Sequence, residues 1–163
     1  MTAIDSYLER NAAYATKFSR ADLAAAPGQR VAVVTCMDAR IDPDAMLGLD
    51  AGDAHVIRNA GGIATDDVIR SLLVSQCLLG TREIMLIQHT DCGLLTFKDS
   101  EMADAIERDT GHRPPFAMGA FTGLDDNVRE SIARIRDNQL ITHTDGIRGF
   151  VCDVKTGRLR EVS

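Results

Sequence analysis

Residues 31–40 read VAVVTCMDAR, an apolar run followed by a thiol, a carboxylate and a guanidinium. Such a run is typical of a strand that is buried on both faces of a parallel sheet. A second apolar run, residues 84–87, leads to the sequence HTDC at residues 89–92. Open α/β sheets bind ligands at the carboxyl ends of their strands. If the two strands are neighbours, their polar ends can therefore form one site.

The rest of the chain alternates between strand and helix patterns. Strands are predicted at residues 30–35, 54–57, 83–88, 149–154 and 158–162, and helices at residues 4–18, 42–48, 65–80, 99–109 and 124–138. This order predicts a three-layer α/β fold with a central, mostly parallel sheet of four to five strands. Helices are expected on both faces, with an N-terminal helical arm and a C-terminal hairpin.

Length and composition limit the function. A chain of 163 residues suits one domain, residues 1–163, with residues 1–26 as the arm. The net charge of −6 and the lack of a Lys/Arg cluster argue against nucleic acid as a partner. No apolar run approaches the roughly 18 residues of a membrane span, and the N-terminus lacks the pattern of a secretory signal. We therefore expect a cytoplasmic protein that does not bind membranes.

The spacing of the arm's apolar residues leaves its role open. Ile4, Tyr7, Leu8, Ala12 and Ala15 recur at helical intervals, followed by Phe18. The helix can pack on its own domain or lie across a partner subunit.

The cysteines indicate a metal. Four cysteines are too few and too scattered for a disulfide scaffold, so metal binding or catalysis is the expected use of some of them. His89 and Cys92 have H-x-x-C spacing, and Cys36 completes a Cys₂His set of the kind that binds zinc. The alternative without metal is two buried structural cysteines and an aspartate that caps a helix. Cys77 and Cys152 are predicted in the core.

Asp38 has two possible roles beside such a metal. It can be the fourth ligand, which closes the site. Alternatively it can pair with Arg40, whose planar fork would keep the carboxylate ionised and aimed. Gly61 and Gly62 either allow close approach to a ligand or form an ordinary strand-to-helix loop. His55, His112 and His143 are predicted as surface or hydrogen-bonded residues.

Three blocks resemble the signature blocks of β-class carbonic anhydrases. They are CMDAR at residues 36–40, HVIRNAGG at 55–62 and HTDCG at 89–93. The resemblance implies one Zn²⁺ per subunit, held by Cys36, His89 and Cys92. It also implies reversible hydration of carbon dioxide to bicarbonate and a proton by attack of zinc hydroxide.

The same resemblance implies roles for other residues. Asp38 and Arg40 would form a dyad that orients the hydroxide, or Asp38 would move onto the metal and shut the site. Gly61 and Gly62 are expected to border the substrate cleft. The family works as homodimers or dimers of dimers in which N-terminal helices embrace the partner, so the arm is predicted to contact a partner subunit.

Departures from the family pattern place the chain near a compact, archaeal-like subclass. A single glycine follows Cys92, and Leu94 stands where plant-like members have a second glycine. The chain has no tryptophan, so the Trp–Arg–Tyr anion pocket of a bicarbonate-inhibited subclass is not expected.

Two alternative functions stay open. One is a carbonyl sulfide or carbon disulfide hydrolase on the same scaffold, and the other is a non-catalytic zinc-binding protein with Asp38 on the metal.

Overall fold

A computed structural model describes residues 2–163 of the chain. It contains five helices and five strands in the predicted order. The helices are α1 (Ala3–Ala15), α2 (Pro43–Leu47), α3 (Asp66–Cys77), α4 (Asp99–Thr110) and α5 (Leu124–Arg136), and the strands are β1 (Val31–Cys36), β2 (Ala54–Asn59), β3 (Glu83–His89), β4 (Gly146–Cys152) and β5 (Leu159–Val162). Two short 3₁₀ turns, Ala60–Gly62 and Gly93–Leu95, follow β2 and β3.

The strands form one sheet in the order β2-β1-β3-β4-β5. The first four strands are parallel, and β5 returns antiparallel to β4 as the terminal hairpin. In the register of β1 and β3, Thr35 lies opposite Ile87. Both strands therefore end at the same edge of the sheet, and the predicted neighbour relation is confirmed.

The helix ends follow from local chemistry. The Asp42 side chain accepts a hydrogen bond from the Ala45 N–H, Pro43 takes the first helical position, and α2 ends at Gly48 in the left-handed conformation (φ 67°). The Thr65 hydroxyl accepts a hydrogen bond from the Val68 N–H at the start of α3. These predicted caps are confirmed.

The two faces of the sheet are covered unequally. Helices α3 and α5 pack on one face, where Leu72, Val128 and Ile135 are fully buried against strands β1, β3 and β4. The other face is covered by the short helix α2 and by Ile41. Helices on both faces are thus confirmed, but part of the second face stays accessible, as the exposed Val56 on β2 shows.

Helix α1 is capped but does not pack on its own domain. Thr2 and Asp5 form a capping box at its N-terminus. None of its residues is buried, and its large apolar side chains are exposed. Tyr7 and Leu8 each expose 63% of their surface. The arm therefore presents an apolar face that has no partner among residues 2–163.

Several expectations were wrong in detail, among them the end of the second strand, which runs to Asn59 rather than to residue 57, and the end of the first helix, which lies at Ala15 rather than at residue 18. Strand β4 begins at Gly146 rather than at residue 149, because pairing with β3 continues through Ile147. Cys77 is exposed rather than in the core, because it lies at the end of α3 on the side that Val74 and Leu78 present to solvent. Cys152 is buried, as predicted.

In residues 2–163 none of the helices is both long and apolar enough to cross a bilayer.

Gly62 is fixed by the backbone of the sheet. Its φ of 63° is left-handed, and a Cβ there would lie 2.8 Å from the Cys36 nitrogen and 2.9 Å from the Ile87 oxygen. Both are main-chain atoms at the ends of β1 and β3, which have no freedom to move aside. Gly62 therefore packs against the ends of β1 and β3, and its place at the border of the substrate cleft stays a prediction.

We expect Gly62→Ala to destabilise the protein more than Gly80→Ala. Gly80 is equally left-handed (φ 73°) but has open space around its Cβ position, so its substitution costs about 1–2 kcal/mol. At Gly62 the crowding adds about 1–3 kcal/mol. Urea unfolding of both variants measures the difference in the free energy of unfolding. Equal losses would contradict the crowding argument.

Candidate metal centre

Three predicted ligands meet at the carboxyl edge of the sheet. Cys36 is the last residue of β1, His89 is the last residue of β3, and Cys92 precedes the second 3₁₀ turn. Their ligand atoms all lie within 4.8 Å of one another. The three residues are 4%, 1% and 3% exposed, respectively. The structure thus brings together residues 56 positions apart into one buried Cys₂His cluster.

A strained turn aims His89 and Cys92 at the same point. Between them, Asp91 has a φ of 55°, a left-handed conformation that is uncommon outside glycine. Thr90 anchors the turn, because its N–H donates to the Cys152 carbonyl and its hydroxyl accepts from the Val154 N–H. The turn is therefore held by β4 and the segment that follows it.

The His89 ring is prepared to bind a cation. Its Nδ1 lies 2.8 Å from the Thr90 carbonyl oxygen, which can only accept, so Nδ1 carries the proton. Nε2 then presents a lone pair into the cluster. It is buried and has no hydrogen-bond partner among residues 2–163. A buried polar atom without a partner is costly, and a metal ion would satisfy it.

The thiols share one negative charge. A hydrogen bond from Cys92 lowers the pKa of Cys36 to about 4 despite burial, and the Gly61 N–H also donates to Cys36 Sγ at 3.3 Å. The same hydrogen bond and burial raise the pKa of Cys92. Burial lowers the pKa of His89, but the Cys36 thiol and the Thr90 carbonyl raise it by more. The cluster thus already stabilises a thiolate, the form that binds metals.

Arg40 holds the Asp38 carboxylate with two parallel hydrogen bonds. Arg40 Nε lies 3.0 Å from Asp38 Oδ1, and Nη2 lies 2.7 Å from Oδ2. These bonds, together with the Arg40 backbone N–H, keep the pKa of Asp38 well below its usual range. Asp38 Oδ2 is 3.8 Å from His89 Nε2, so the carboxylate stands beside the cluster. Arg40 also donates to the Asp91 carbonyl at 3.0 Å.

A cavity of about 390 Å³ opens onto the cluster. Gly61 lines it, and its other walls are largely apolar. They include Met37, Leu94, Phe97 and Met102. The sequence predicts a short helix or turn over the site at residues 93–97, which include Phe97, but it assigns no role to Met102 or to Met37 inside the CMDAR block. For Met37 a signal was available, because an apolar residue between Cys36 and Asp38 can line the cavity that those two residues face.

The remaining histidines lie outside the cluster. His55 Nδ1 is 2.8 Å from the Ser75 hydroxyl, and Nε2 is 3.1 Å from the Ala25 carbonyl oxygen. His143 contacts Arg82. His112 is exposed and contacts Thr110 through its backbone. The prediction of surface or hydrogen-bonded histidines is confirmed.

The fold and the site define a class of protein: an α/β protein with a buried Cys₂His cluster that could hold a metal ion and with an acid–arginine pair at the carboxyl edge of a parallel sheet. Comparison with known proteins is more specific. Residues 31–114 match the family model described as carbonic anhydrase. The chain belongs to the β-carbonic anhydrase family, whose members depend on zinc.

Two similar proteins cover the whole chain, and a third covers most of it. β-carbonic anhydrase 1 of Mycobacterium tuberculosis is 50% identical over 163 residues, which are 100% of this chain and 99% of that protein. The crystal structure of a carbonic anhydrase from Streptococcus mutans superposes with a TM-score of 0.94 at 44% identity and covers 100% of this chain and 99% of that one. A carbon disulfide hydrolase of Acidithiobacillus thiooxidans is 33% identical over 81% of this chain and 76% of its own.

Proposed function

We propose that this protein catalyses the reversible hydration of carbon dioxide to bicarbonate and a proton. One observation carries the proposal: a buried Cys₂His cluster with an unpartnered His89 Nε2 lies beside an Asp38 carboxylate that Arg40 holds. The 50% identity to a carbonic anhydrase over the full chain supports it.

Cys36, His89 and Cys92 would hold one Zn²⁺ per subunit. Two thiolates and one imidazole are ligands that zinc prefers, and three protein ligands leave a fourth position for water or substrate. When bound, zinc supplies a nucleophile at neutral pH because it lowers the pKa of its water to about 7. The hydrogen bond from His89 Nδ1 to Thr90 fixes the tautomer in which Nε2 can bind the metal.

Asp38 and Arg40 would orient the nucleophile. The Arg40 fork keeps Asp38 ionised at neutral pH, so the carboxylate is an acceptor only. An acceptor beside the cluster can take a hydrogen bond from the nucleophile. That bond would direct the lone pair of the nucleophile's oxygen at the substrate. The apolar cavity walls admit a small neutral molecule without requiring polar partners.

A carbonyl sulfide or carbon disulfide hydrolase is the second candidate. The similarity to a protein named carbon disulfide hydrolase favours it, and the same cluster and apolar cavity suit a linear sulfur analogue of carbon dioxide. A non-catalytic protein with Asp38 on the metal is disfavoured by the hydrogen bonds that tie the carboxylate to Arg40.

We expect the zinc-loaded protein to hydrate carbon dioxide and to hydrolyse carbonyl sulfide far more slowly. Stopped-flow hydration and carbonyl sulfide hydrolysis, measured on one metal-quantified sample, check this order. Faster turnover of carbonyl sulfide would support the hydrolase. Zinc content without turnover of either compound between about pH 6.5 and 9, the range in which a zinc-bound water of pKa about 7 ionises, would support the non-catalytic protein.

Asp38→Ala is expected to retain zinc and to lose carbon dioxide hydration by about 10- to 100-fold, because it removes the orienting acceptor but none of the three proposed ligands. Metal analysis and stopped-flow hydration test the two parts separately. Asp44→Ala is the matched control, since Asp44 is exposed on α2. Unchanged activity in Asp38→Ala would refute the orienting role.

We also propose that the chain forms homodimers or dimers of dimers through the arm, residues 1–26. The support is the exposed apolar face of α1, together with Phe18 and Leu23 after it. Strand β2 is an edge of the sheet and exposes Val56, which offers a second copy a further surface.

We place the enzyme in the cytoplasm, where all four free thiols would stay reduced.

Leu8→Asp is expected to reduce the assembly to a smaller species, because a charge on the apolar face of α1 opposes burial against a partner. Light scattering coupled to size exclusion measures the mass. Glu9→Lys, on an exposed neighbouring position of the same helix, should leave the assembly intact. A wild-type protein that is monomeric at micromolar concentration would contradict the proposal outright.

A further inference from the structure

The last two residues of β2 bind the main chain of the segment that carries Cys36 and Asp38. Arg58 Nε donates to the Cys36 carbonyl at 3.0 Å, and Arg58 Nη2 donates to the Asp38 carbonyl at 2.8 Å. Between these carbonyls, the Met37 N–H donates to the Asn59 carbonyl at 2.8 Å. One main-chain group of each of three consecutive residues, 36–38, is therefore fixed by the neighbouring strand β2.

These hydrogen bonds hold the chain in place where β1 ends. Strand β1 ends at Cys36, whose register partner is Asn59. The Met37 N–H still bonds to Asn59, and past it Arg58 holds the carbonyl of Asp38, the proposed acid, to β2. The planar guanidinium presents donors in a rigid fork that can reach two carbonyls at once. A lysine, with a single ammonium on a flexible stem, cannot reproduce this geometry.

Arg58 acts differently from Arg40. Arg40 binds the carboxylate of Asp38, whereas the hydrogen bonds of Arg58 go to main-chain carbonyls. The fork of Arg58 spans the same two residues whose side chains must hold the metal and orient the nucleophile. Its two hydrogen bonds hold the main chains of Cys36 and Asp38 at one spacing.

We propose that Arg58 is a positioning residue that fixes Cys36 relative to Asp38 and thereby controls how tightly the cluster holds its metal. The proposal rests on the zinc site of the proposed function. It does not require that carbon dioxide be the substrate, because metal retention is measured without turnover.

The test compares Arg58→Met, Arg58→Lys and the control Arg70→Met in the full-length zinc-loaded protein. Arg70 is an exposed arginine on α3 that pairs with Asp67. Zinc release to excess chelator gives the retention, and the absorption spectrum of the cobalt-substituted protein reports the ligand geometry. Thermal unfolding of each variant identifies any general loss of structure.

We expect Arg58→Met to release zinc about 10- to 100-fold faster than the wild type, as for other residues that orient metal ligands. Its cobalt spectrum should shift, and Arg58→Lys should fall between Arg58→Met and the wild type. Arg70→Met should match the wild type. If Arg58→Met and Arg70→Met show the same drop in melting temperature, that drop is not attributed to the loss of the Arg58 fork.

Release from Arg58→Met within about twofold of the wild type, with an unchanged cobalt spectrum, would overturn the proposal. Arg58→Lys equal to the wild type in both readouts would also overturn it, because charge and not the fork would then suffice. If the wild type binds zinc but does not turn over carbon dioxide, the proposed function fails while the role of Arg58 is still measured.

Discussion

The parallel register of β1 and β3 is the constraint on which the site depends. Because Thr35 lies opposite Ile87, β1 and β3 end within one residue of each other at the same edge, and Cys36 and His89 leave the sheet close together. Neither residue could contribute alone, since a lone buried thiolate or imidazole would lack a partner for its charge or lone pair. Gly62 belongs to this arrangement, because only a residue without Cβ fits against the two strand ends.

Much of this arrangement could be predicted because it is encoded locally. Apolar runs marked the central strands, Asp42 and Thr65 marked helix starts, and the H-x-x-C spacing marked two members of the Cys₂His cluster. The third member, Cys36, followed from the rule that parallel strands bring their carboxyl ends to one edge of the sheet. The start of β4 was missed because it is set by pairing with β3, and the exposure of Cys77 was missed because helical spacing does not say how far the sheet extends beneath a helix end.

Tertiary geometry determined the features that no pattern contained. Gly61 and Gly62 are neighbours with positive φ, yet one lines the cavity and the other packs on the sheet. Asp38 could serve as a ligand or as a partner of Arg40, and only the side-chain arrangement shows the second. The role of Arg58 depends on two carbonyls at least 20 residues away in sequence. Such contacts leave no periodic signature.

The site is best understood as two loops that must be locked to each other. One loop carries Cys36 and Asp38, and the other carries His89 and Cys92. Register aligns the loops at their origin, and beyond the strand ends separate contacts hold each one: Arg58 holds the first loop, and Cys152 and Val154 hold Thr90 of the second. Arg40 joins them, since it holds the Asp38 carboxylate and the Asp91 carbonyl together. The strained φ of Asp91 is the local cost of that arrangement, because it aims His89 and Cys92 at one point and turns the Asp91 carbonyl toward Arg40. The Asp38 carboxylate is thereby tied to the loop that carries His89 and Cys92, so its position is fixed relative to the Cys₂His cluster.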